Sequence, residues 1–198
     1  LPLALELAAT SLRSLTLDEI VRGLSGRFAL LAGGPASAPA RQRTLRGCVE
    51  WSFEQCSETE RLLWSRASVF SGGFQIDAAE TVCADELLPP RAILGAVLRL
   101  VDRSVLIAEE VPGAIRYRML ETFRAYGLER LADDAGTEGC RRHAGLERLR
   151  FRHRDWCVAL ARSAADHWLG GEQLWSIERI KRELPNLRVA LRFALTRP

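Results

Sequence analysis

Hydrophobic residues in the middle of the chain change from helical spacing to strict alternation and then return to helical spacing. Between Arg91 and Ser104 they recur every three or four positions, which predicts a buried helix. A second run at helical spacing, from Leu120 to Leu131, predicts another helix. The residues between the two runs have a different period, so we predict the order helix, β-hairpin, helix.

The segment between the two predicted helices has the pattern of a β-hairpin. Residues 105–107 start one strand, and the acidic tip at 109–113, which contains Pro and Gly, turns the chain. In the return strand, apolar residues alternate with arginines, as in a strand with one buried face. The apolar positions are Ile115, Tyr117 and Met119, and the alternating polar positions are Arg116 and Arg118.

Three further helices are predicted ahead of this unit. Apolar spacing predicts one through Leu45 and Phe53, a capping-box pattern at Ser57 starts another, and a third runs through Val82. Three helices followed by helix, hairpin and helix is the order of a winged helix-turn-helix domain. We therefore predict a mainly α fold and assign residues 40–135 to a winged-helix domain with one β-hairpin.

Short helical segments flank the predicted winged helix. Residues 1–32 have the pattern of the end of a preceding helical domain, and a Gly/Pro-rich linker follows them. Residues 137–198 predict TPR-like helices at the start of a helical-repeat domain. Within them, one helix is expected to end at Pro185 and another to begin at Leu187.

Charge changes at the same place as the predicted domain boundary. Residues 1–136 carry 15 Lys and Arg against 18 Asp and Glu, whereas residues 137–198 carry 13 against 7. The strongest basic feature is a run of arginines on the predicted helix after the boundary. It consists of Arg141, Arg142, Arg148, Arg150, Arg152 and Arg154. This run indicates either a solvated helix face or a docking surface for an acidic partner or nucleic acid.

Composition narrows the class of protein. With 198 residues and 47% hydrophobic content, the chain can bury a core, and no apolar run is long enough to span a membrane. We expect a cytoplasmic protein without a membrane partner and, since it starts without Met, a piece of a longer polypeptide.

The five cysteines form no C-x-x-C pair, which is typical of reduced thiols. Cys140 and His143 lack a second ligand pair, so no metal site is expected.

No motif in the sequence indicates catalysis. The pattern G-x-x-x-x-G-K-[ST], which cradles phosphates, is missing. The three histidines (His143, His153 and His167) accompany no nucleophile pattern, and His153 lies in the apolar register of its helix. We therefore expect no catalytic residues and no cofactor in this chain.

Direct DNA binding is the natural alternative for a winged helix. The presumed recognition helix offers only Arg91, Arg99 and Arg103, and the wing carries Glu109 and Glu110, whose charges repel phosphates. This distribution favours protein-facing contacts. A nucleic-acid-binding module that uses the winged helix or the basic helix at 141–154 remains the alternative.

Several segments together resemble one family. They are Leu1-Pro-Leu-Ala-Leu-Glu-Leu-Ala-Ala, Arg43-Thr-Leu-Arg, Trp51-Ser-Phe, Ser68-Val-Phe-Ser-Gly-Gly-Phe74, Leu100-Val-Asp-Arg-Ser-Val-Leu106, Tyr117-Arg-Met-Leu-Glu-Thr-Phe-Arg-Ala-Tyr126 and Glu183-Leu-Pro-Asn-Leu-Arg188. This set resembles the middle of bacterial transcriptional regulators of the STAND ATPase class, the LuxR-type and AfsR-like regulators of actinobacteria. The resemblance covers nearly the whole chain in the family's own order.

The resemblance implies a place for each segment in a larger protein. It places residues 1–32 in the helical lid of a P-loop ATPase, followed by a winged helix and helical repeats, with DNA bound through another domain. Pro2 matches a proline that packs against the adenine of bound ATP or ADP. Met119, Leu120 and Glu121 occupy the position of a Met-His-Asp motif that lies near the nucleotide, although the histidine is replaced here.

The resemblance also implies a function. The expected role is to couple the nucleotide state of the parent ATPase to the repeat domain, and so to transcription, through intramolecular contacts with the ATPase core and the repeats.

Overall fold

The computed structural model describes residues 45–133, 139–166 and 173–196, and for residues 133 and 139–144 only the backbone. The chain divides between Ser57 and Glu58 into two compact units. The predicted domain boundaries at 32, 40, 135 and 137 all lie outside the described residues, as do Pro2 and the predicted lid. The domain assignment therefore stays a prediction.

The described part of the first unit is one helix, α1 (Leu45–Glu54). Leu45 and Val49, four residues apart on one face, are buried. The Ser52 hydroxyl donates a hydrogen bond to the Cys48 carbonyl oxygen at 2.8 Å, within the same helix. Apolar spacing in the sequence predicted this helix.

The described elements of the second unit are six helices and two strands. They are α2 (Glu58–Ala67), α3 (Ile76–Cys83), α4 (Pro90–Asp102), β1 (Leu106–Val111), β2 (Ala114–Met119), α5 (Glu121–Asp133), α6 (Gly139–Asp166) and α7 (Gln173–Thr196). The predicted fold class is confirmed, since the described residues form a mainly helical fold with one antiparallel hairpin.

Helix α4 and strand β1 are joined by a tight turn. Ser104 adopts φ +59°, and the Val105 N–H donates to the Leu100 carbonyl oxygen at 2.9 Å. This closure resembles a Schellman cap, which satisfies carbonyl groups at the end of a helix. It places β1 immediately against the end of the predicted recognition helix.

The hairpin is longer than the sequence pattern suggested. Pairing extends from Leu106 opposite Met119 to Val111 opposite Ala114, so only Pro112 and Gly113 form the turn. The predicted tip at 109–113 was therefore too wide. The acidic residues at its start belong to β1, where their backbones pair with β2.

Strand β2 departs from the predicted alternation at two neighbouring positions. Tyr117 and Met119 are buried as expected, but Ile115 is 53% exposed and Arg116 only 4% exposed. The expectation that Arg116 lies on the polar face was wrong because helix α7 covers that side of β2 and supplies a carboxylate, Glu183.

Helix α7 runs without interruption through Pro185, so the predicted break at this residue was wrong. A proline inside a helix removes one backbone hydrogen bond and normally kinks or ends the helix. Here its ring contacts the Gly72 turn, because a Cβ placed on Gly72 would lie 2.9 Å from Pro185 Cγ. Glu183 and Asn186, on either side of the proline, hydrogen-bond to the rest of the unit and fix the helix there.

The core of the second unit lies between α2, α4, α5 and the hairpin. The Trp64 indole N–H donates to the Phe123 carbonyl oxygen at 3.0 Å, joining α2 to α5. Gly127 lets these helices approach closely, since a Cβ there would lie 2.0 Å from Ser68 Oγ. Within the described ranges, no helix is long and apolar enough to cross a membrane.

Candidate functional site

A group of buried, hydrogen-bonded polar residues lies where β2, α6 and α7 meet. We call it the buried polar joint. Its members are Gly72, Gly73, Arg116, His153, Glu183 and Asn186. Two of the sequence segments that carried the family resemblance, 68–74 and 183–188, contribute to it from residues more than 100 positions apart.

Arg116 is the centre of the joint. Its guanidinium group donates to both carboxylate oxygens of Glu183, and the two side chains are only 5% and 3% exposed. Its Nε donates to the Gly72 carbonyl oxygen at 3.1 Å, and its Nη2 donates to that of Gly73 at 2.9 Å. Such a two-pronged pairing fixes orientation as well as distance.

Asn186 connects helix α7, which also carries Glu183, to the turn before Phe74. Its Nδ2 donates to the Gly73 carbonyl oxygen at 3.0 Å and to Glu183 Oε2 at 2.6 Å. Its Oδ1 accepts the Ser71 backbone N–H at 2.7 Å. Both ends of the amide are thus used, which matches the rule that buried polar groups are hydrogen-bonded.

The turn itself requires glycine. Gly72 and Gly73 have φ of +78° and +99°, a region that other residues rarely adopt. A Cβ on Gly73 would lie 2.7 Å from the Tyr117 carbonyl oxygen. Because Gly72 and Gly73 have no side chains, the turn can pack closely against β2 and α7. Its two carbonyl oxygens thus accept hydrogen bonds from Arg116 and Asn186.

His153 closes the joint on the side of α6. It is 1% exposed, its Nε2 lies 3.3 Å from Asn186 Oδ1, and its ring meets Phe70 edge to face at 5.2 Å. Burial lowers the pKa of His153 to about 4, against weaker opposing effects of Asn186 and Glu183. Neutral His153 thus serves as a packed core residue, in line with its apolar register in the sequence.

Cys157 lies next to His153 but forms no reactive pair with it. The Sγ to Nε2 distance is 4.0 Å, and burial, helped by Glu183, raises the pKa of the Cys157 thiol to about 12. The thiol stays protonated at neutral pH, so it cannot act as a nucleophile there. Among the described residues, no group of three or more His, Cys, Asp or Glu side chains could hold a metal ion.

The presumed recognition helix has its two C-terminal arginines engaged. Glu60 of α2 is 2% exposed and pairs with Arg99 Nε at 2.6 Å and with Arg103 Nε at 3.2 Å. In the wing, Arg118 pairs with Glu109 at 2.6 Å. These basic side chains near a potential DNA-facing surface are thus already paired with carboxylates within the fold.

The predicted corner at 119–121 lies over a cavity of about 350 Å³ that Gly72 and Gly73 also line. Met119 is buried, Leu120 is half-buried, and the exposed Glu121 pairs with Arg124 at 2.9 Å. The two arginines of this cavity, Arg118 and Arg124, each already pair with a carboxylate. These residues therefore do not fit a complete nucleotide site by themselves.

The four described members of the predicted basic run have different surroundings. Arg152 donates to the Ala84 and Thr81 carbonyl oxygens at 2.5 and 2.6 Å, and Arg154 pairs with Asp155 at 2.6 Å. Arg148 and Arg150 are exposed. The side chains of Arg141 and Arg142 lie outside the described part. Of the four described arginines, Arg152 and Arg154 thus form bonds within the fold, whereas Arg148 and Arg150 are exposed.

Sequence reasoning missed the centre of the joint. Arg116 was assigned to the polar face, and Glu183 and Asn186 were noted only within a family-like segment. One signal was present: a Glu, a Pro and an Asn within four residues of a helix, far from its ends, is a costly arrangement that suggests tertiary bonding.

Comparison with known proteins gives relatives that are much longer than this chain. Two of them, from Mycobacterium tuberculosis and Mycobacterium bovis, are named "Putative HTH-type transcriptional regulator" and are 39% identical over 193 residues. The match covers 96% of this chain and 20% of each relative, so the chain spans about a fifth of their length.

A third relative, from M. tuberculosis, is named "Uncharacterized protein" and is 41% identical over 133 residues, 67% of this chain and 34% of its own length. No protein-family model matches the chain.

Proposed function

We propose that this chain is a coupling segment of a transcriptional regulator of the STAND ATPase class. In this proposal the winged helix passes the nucleotide state of an ATPase core, elsewhere in the full-length protein, to helical repeats that begin with α6 and α7. The segment would affect transcription through contacts with other protein domains, and another domain would bind DNA. The names of the mycobacterial relatives support the regulatory role.

The observation that carries the proposal is the buried polar joint. A buried ion pair between Arg116 and Glu183, with every oxygen of the carboxylate engaged, holds β2 and α7 in one relative orientation. Separating them would leave two charges buried without partners, which costs several kcal/mol. A rotation of the hairpin would therefore carry α7 with it rather than slide past it.

ATP or ADP belongs to the parent protein in this proposal, and this chain is not itself an enzyme. The chain has no phosphate-cradling loop, so other segments would hold the nucleotide. Pro2 and the corner at Met119, Leu120 and Glu121 would adjoin it. Glu121 also begins α5, where a negative charge stabilises the helix end, and this provides a role independent of nucleotide.

The test is made in the full-length protein that contains this chain. Glu183→Gln keeps the size of the side chain but removes its charge. Glu178→Gln is the matched control on the exposed face of α7, where Glu178 pairs with the equally exposed Lys181. We expect Glu183→Gln to uncouple reporter transcription from the inducing condition, with the nucleotide exchange rate unchanged, and Glu178→Gln to behave like the parent protein. A folded Glu183→Gln protein with a normal transcriptional response would refute coupling through the joint.

Nucleic-acid binding is the second candidate, and the name of the relatives favours it because it includes a helix-turn-helix. The exposed Arg91 of α4, or Arg148 and Arg150 of α6, would then contact phosphates. Fluorescence anisotropy with duplex DNA at rising salt distinguishes the candidates. Binding that falls steeply with salt and is lost in Arg91→Gln would favour the winged helix as a DNA reader.

A further inference from the structure

A second cavity lies at the junction of α5, α6 and α7, on a different side of α6 from the contacts of Arg152. Its volume is about 270 Å³. Each of the three helices contributes one arginine to the lining, namely Arg124, Arg150 and Arg192. The cavity shares His153 with the buried polar joint but does not include the Arg116 to Glu183 pair, so ligand binding there can be tested separately from the proposed function.

The charge around this cavity is unbalanced. None of the described residues that line it is acidic, and these residues offer neither Arg150 nor Arg192 an ion-pair partner. Arg124 is partly engaged, since its Nε donates to the Phe70 carbonyl oxygen at 2.8 Å and its Nη1 to Glu121. Arg150 and Arg192, two like charges at one concave site, repel each other and attract an anion.

The rest of the lining is apolar. It consists of Val69, Leu128, Val189 and Phe193, with neutral His153 at the base and Thr196 at the rim. Phe193 is fixed by Phe151, whose ring it meets at 5.1 Å. A cavity with apolar walls and a few convergent polar groups is the usual form of a small-molecule site. An inorganic ion would use the guanidinium groups and leave these walls in contact with water.

We propose that this cavity binds a small organic anion that has a phosphate or carboxylate head and a compact apolar body. The head pairs with Arg150 and Arg192, which present planar donor pairs suited to such groups. The body contacts Leu128 and Phe193. The volume corresponds to roughly nine water molecules, so the ligand is about the size of a phenyl phosphate.

Calorimetric titration of the 198-residue chain tests the proposal with four probes: phenyl phosphate, benzoate, inorganic phosphate and benzyl alcohol. We expect saturable binding of phenyl phosphate, benzoate or both, and binding at least about tenfold weaker for inorganic phosphate and for neutral benzyl alcohol. A preference between the two organic anions identifies the head group. Equal affinity for inorganic phosphate would refute the apolar part of the assignment, and no saturable binding of either organic anion would refute the site.

Variants locate the site on the protein. Arg150→Gln and Arg192→Gln remove exposed side chains from two different helices, so at least one of them is expected to keep the fold, and each should weaken binding about tenfold or more. Arg148→Gln is the matched control, because it removes an equal charge from an exposed position of α6 outside the lining. Affinity within twofold of the parent is expected for Arg148→Gln. An equal loss in all three variants would show general charge attraction and overturn the proposal.

Discussion

Two buried carboxylates in the second unit, Glu183 and Glu60, each pair with arginine, and they differ in where the arginine lies. The partner of Glu183 is Arg116, which is itself 5% exposed. The partners of Glu60 are Arg99 and Arg103, whose side chains are 51% and 42% exposed. In the Glu183 pair both side chains are buried away from water. In the Glu60 group the carboxylate is buried, but the two arginine side chains are at the surface.

This difference determines what happens when the pair is broken. Without Glu183, the Arg116 guanidinium group stays in the interior with only carbonyl oxygens around it, and the cost of burying its charge is no longer offset. Without Glu60, Arg99 and Arg103 can be hydrated where they are. Breaking the ion pair of Glu183 should therefore destabilise the fold much more than breaking the ion pairs of Glu60.

The largest expected effect is that of Glu183→Ala. Removing one partner of a buried ion pair destabilises proteins by about 3–5 kcal/mol, and we expect a decrease of this size in the free energy of unfolding. Urea denaturation followed by circular dichroism measures it. Glu178→Ala on the same helix, whose surface pair with Lys181 is exposed, should change the value by less than about 1 kcal/mol. Similar losses in both variants would contradict the comparison.

The second prediction concerns pH and the histidine of the joint. His153 has a pKa of about 4 in the folded chain, below its usual value of 6.5. Between these values the unfolded chain binds a proton that the folded chain excludes, so the stabilisation is complete above pH 6.5 and is lost as the pH falls towards 4. The shift corresponds to about 3 kcal/mol.

Other acidic groups also titrate in this range, so the contribution of His153 is isolated by difference. The free energy of unfolding, measured at pH 7 and pH 4.5, should fall more steeply in the parent chain than in His153→Gln, which can still donate to Asn186 but does not titrate. Identical slopes for the two proteins would show that His153 has an ordinary pKa.

The third prediction isolates the contact between the Gly-Gly turn and Pro185. Gly72 and Gly113 both have φ of +78°, but a Cβ on Gly72 would lie 2.9 Å from Pro185 Cγ, whereas one on Gly113 has nothing within 4 Å. Gly113→Ala therefore reports backbone strain alone, about 1–2 kcal/mol. Gly72→Ala should cost about 1–3 kcal/mol more, because α7 must shift. Equal losses of stability in thermal melts would mean that the proline contact is easily relieved.

The comparison also explains how far the sequence could be interpreted. Local periodicity was sufficient for the helices and the hairpin, because each is specified by residues within a few positions of one another. It failed at Ile115 and Arg116 and at Pro185. Arg116 depends on a contact between β2 and α7, whose residues are 67 positions apart, and the helix around Pro185 depends on contacts with the Gly-Gly turn, 113 positions away. A buried arginine cannot be distinguished from an exposed one by local sequence, because the carboxylate that pairs with it lies in a distant part of the chain.

The same reasoning applies to the candidate sites. The basic run was visible in the sequence, but helical geometry places its described members on different faces, so Arg152 donates to carbonyl groups of the α3 region while Arg150 lines a cavity. Arg124 and Arg192, which complete that cavity, lie on other helices. No pattern within one segment could have grouped these three arginines.

The smallest effect is expected for Glu60→Gln, which sharpens the contrast with Glu183. The amide still accepts one hydrogen bond in place of the carboxylate, and the exposed Arg99 and Arg103 are hydrated, so the free energy of unfolding should fall by only about 1–2 kcal/mol. The variant also releases two arginines on α4 from a carboxylate. Its affinity for duplex DNA at low salt should therefore rise, with a steeper dependence on salt as each new phosphate contact releases counterions. Glu58→Gln, two residues earlier at the exposed start of α2, is the matched control and should leave DNA affinity unchanged. A loss of stability as large as that of Glu183→Ala would show that the exposure of the arginine does not set the cost, and the distinction between the two pairs would fail.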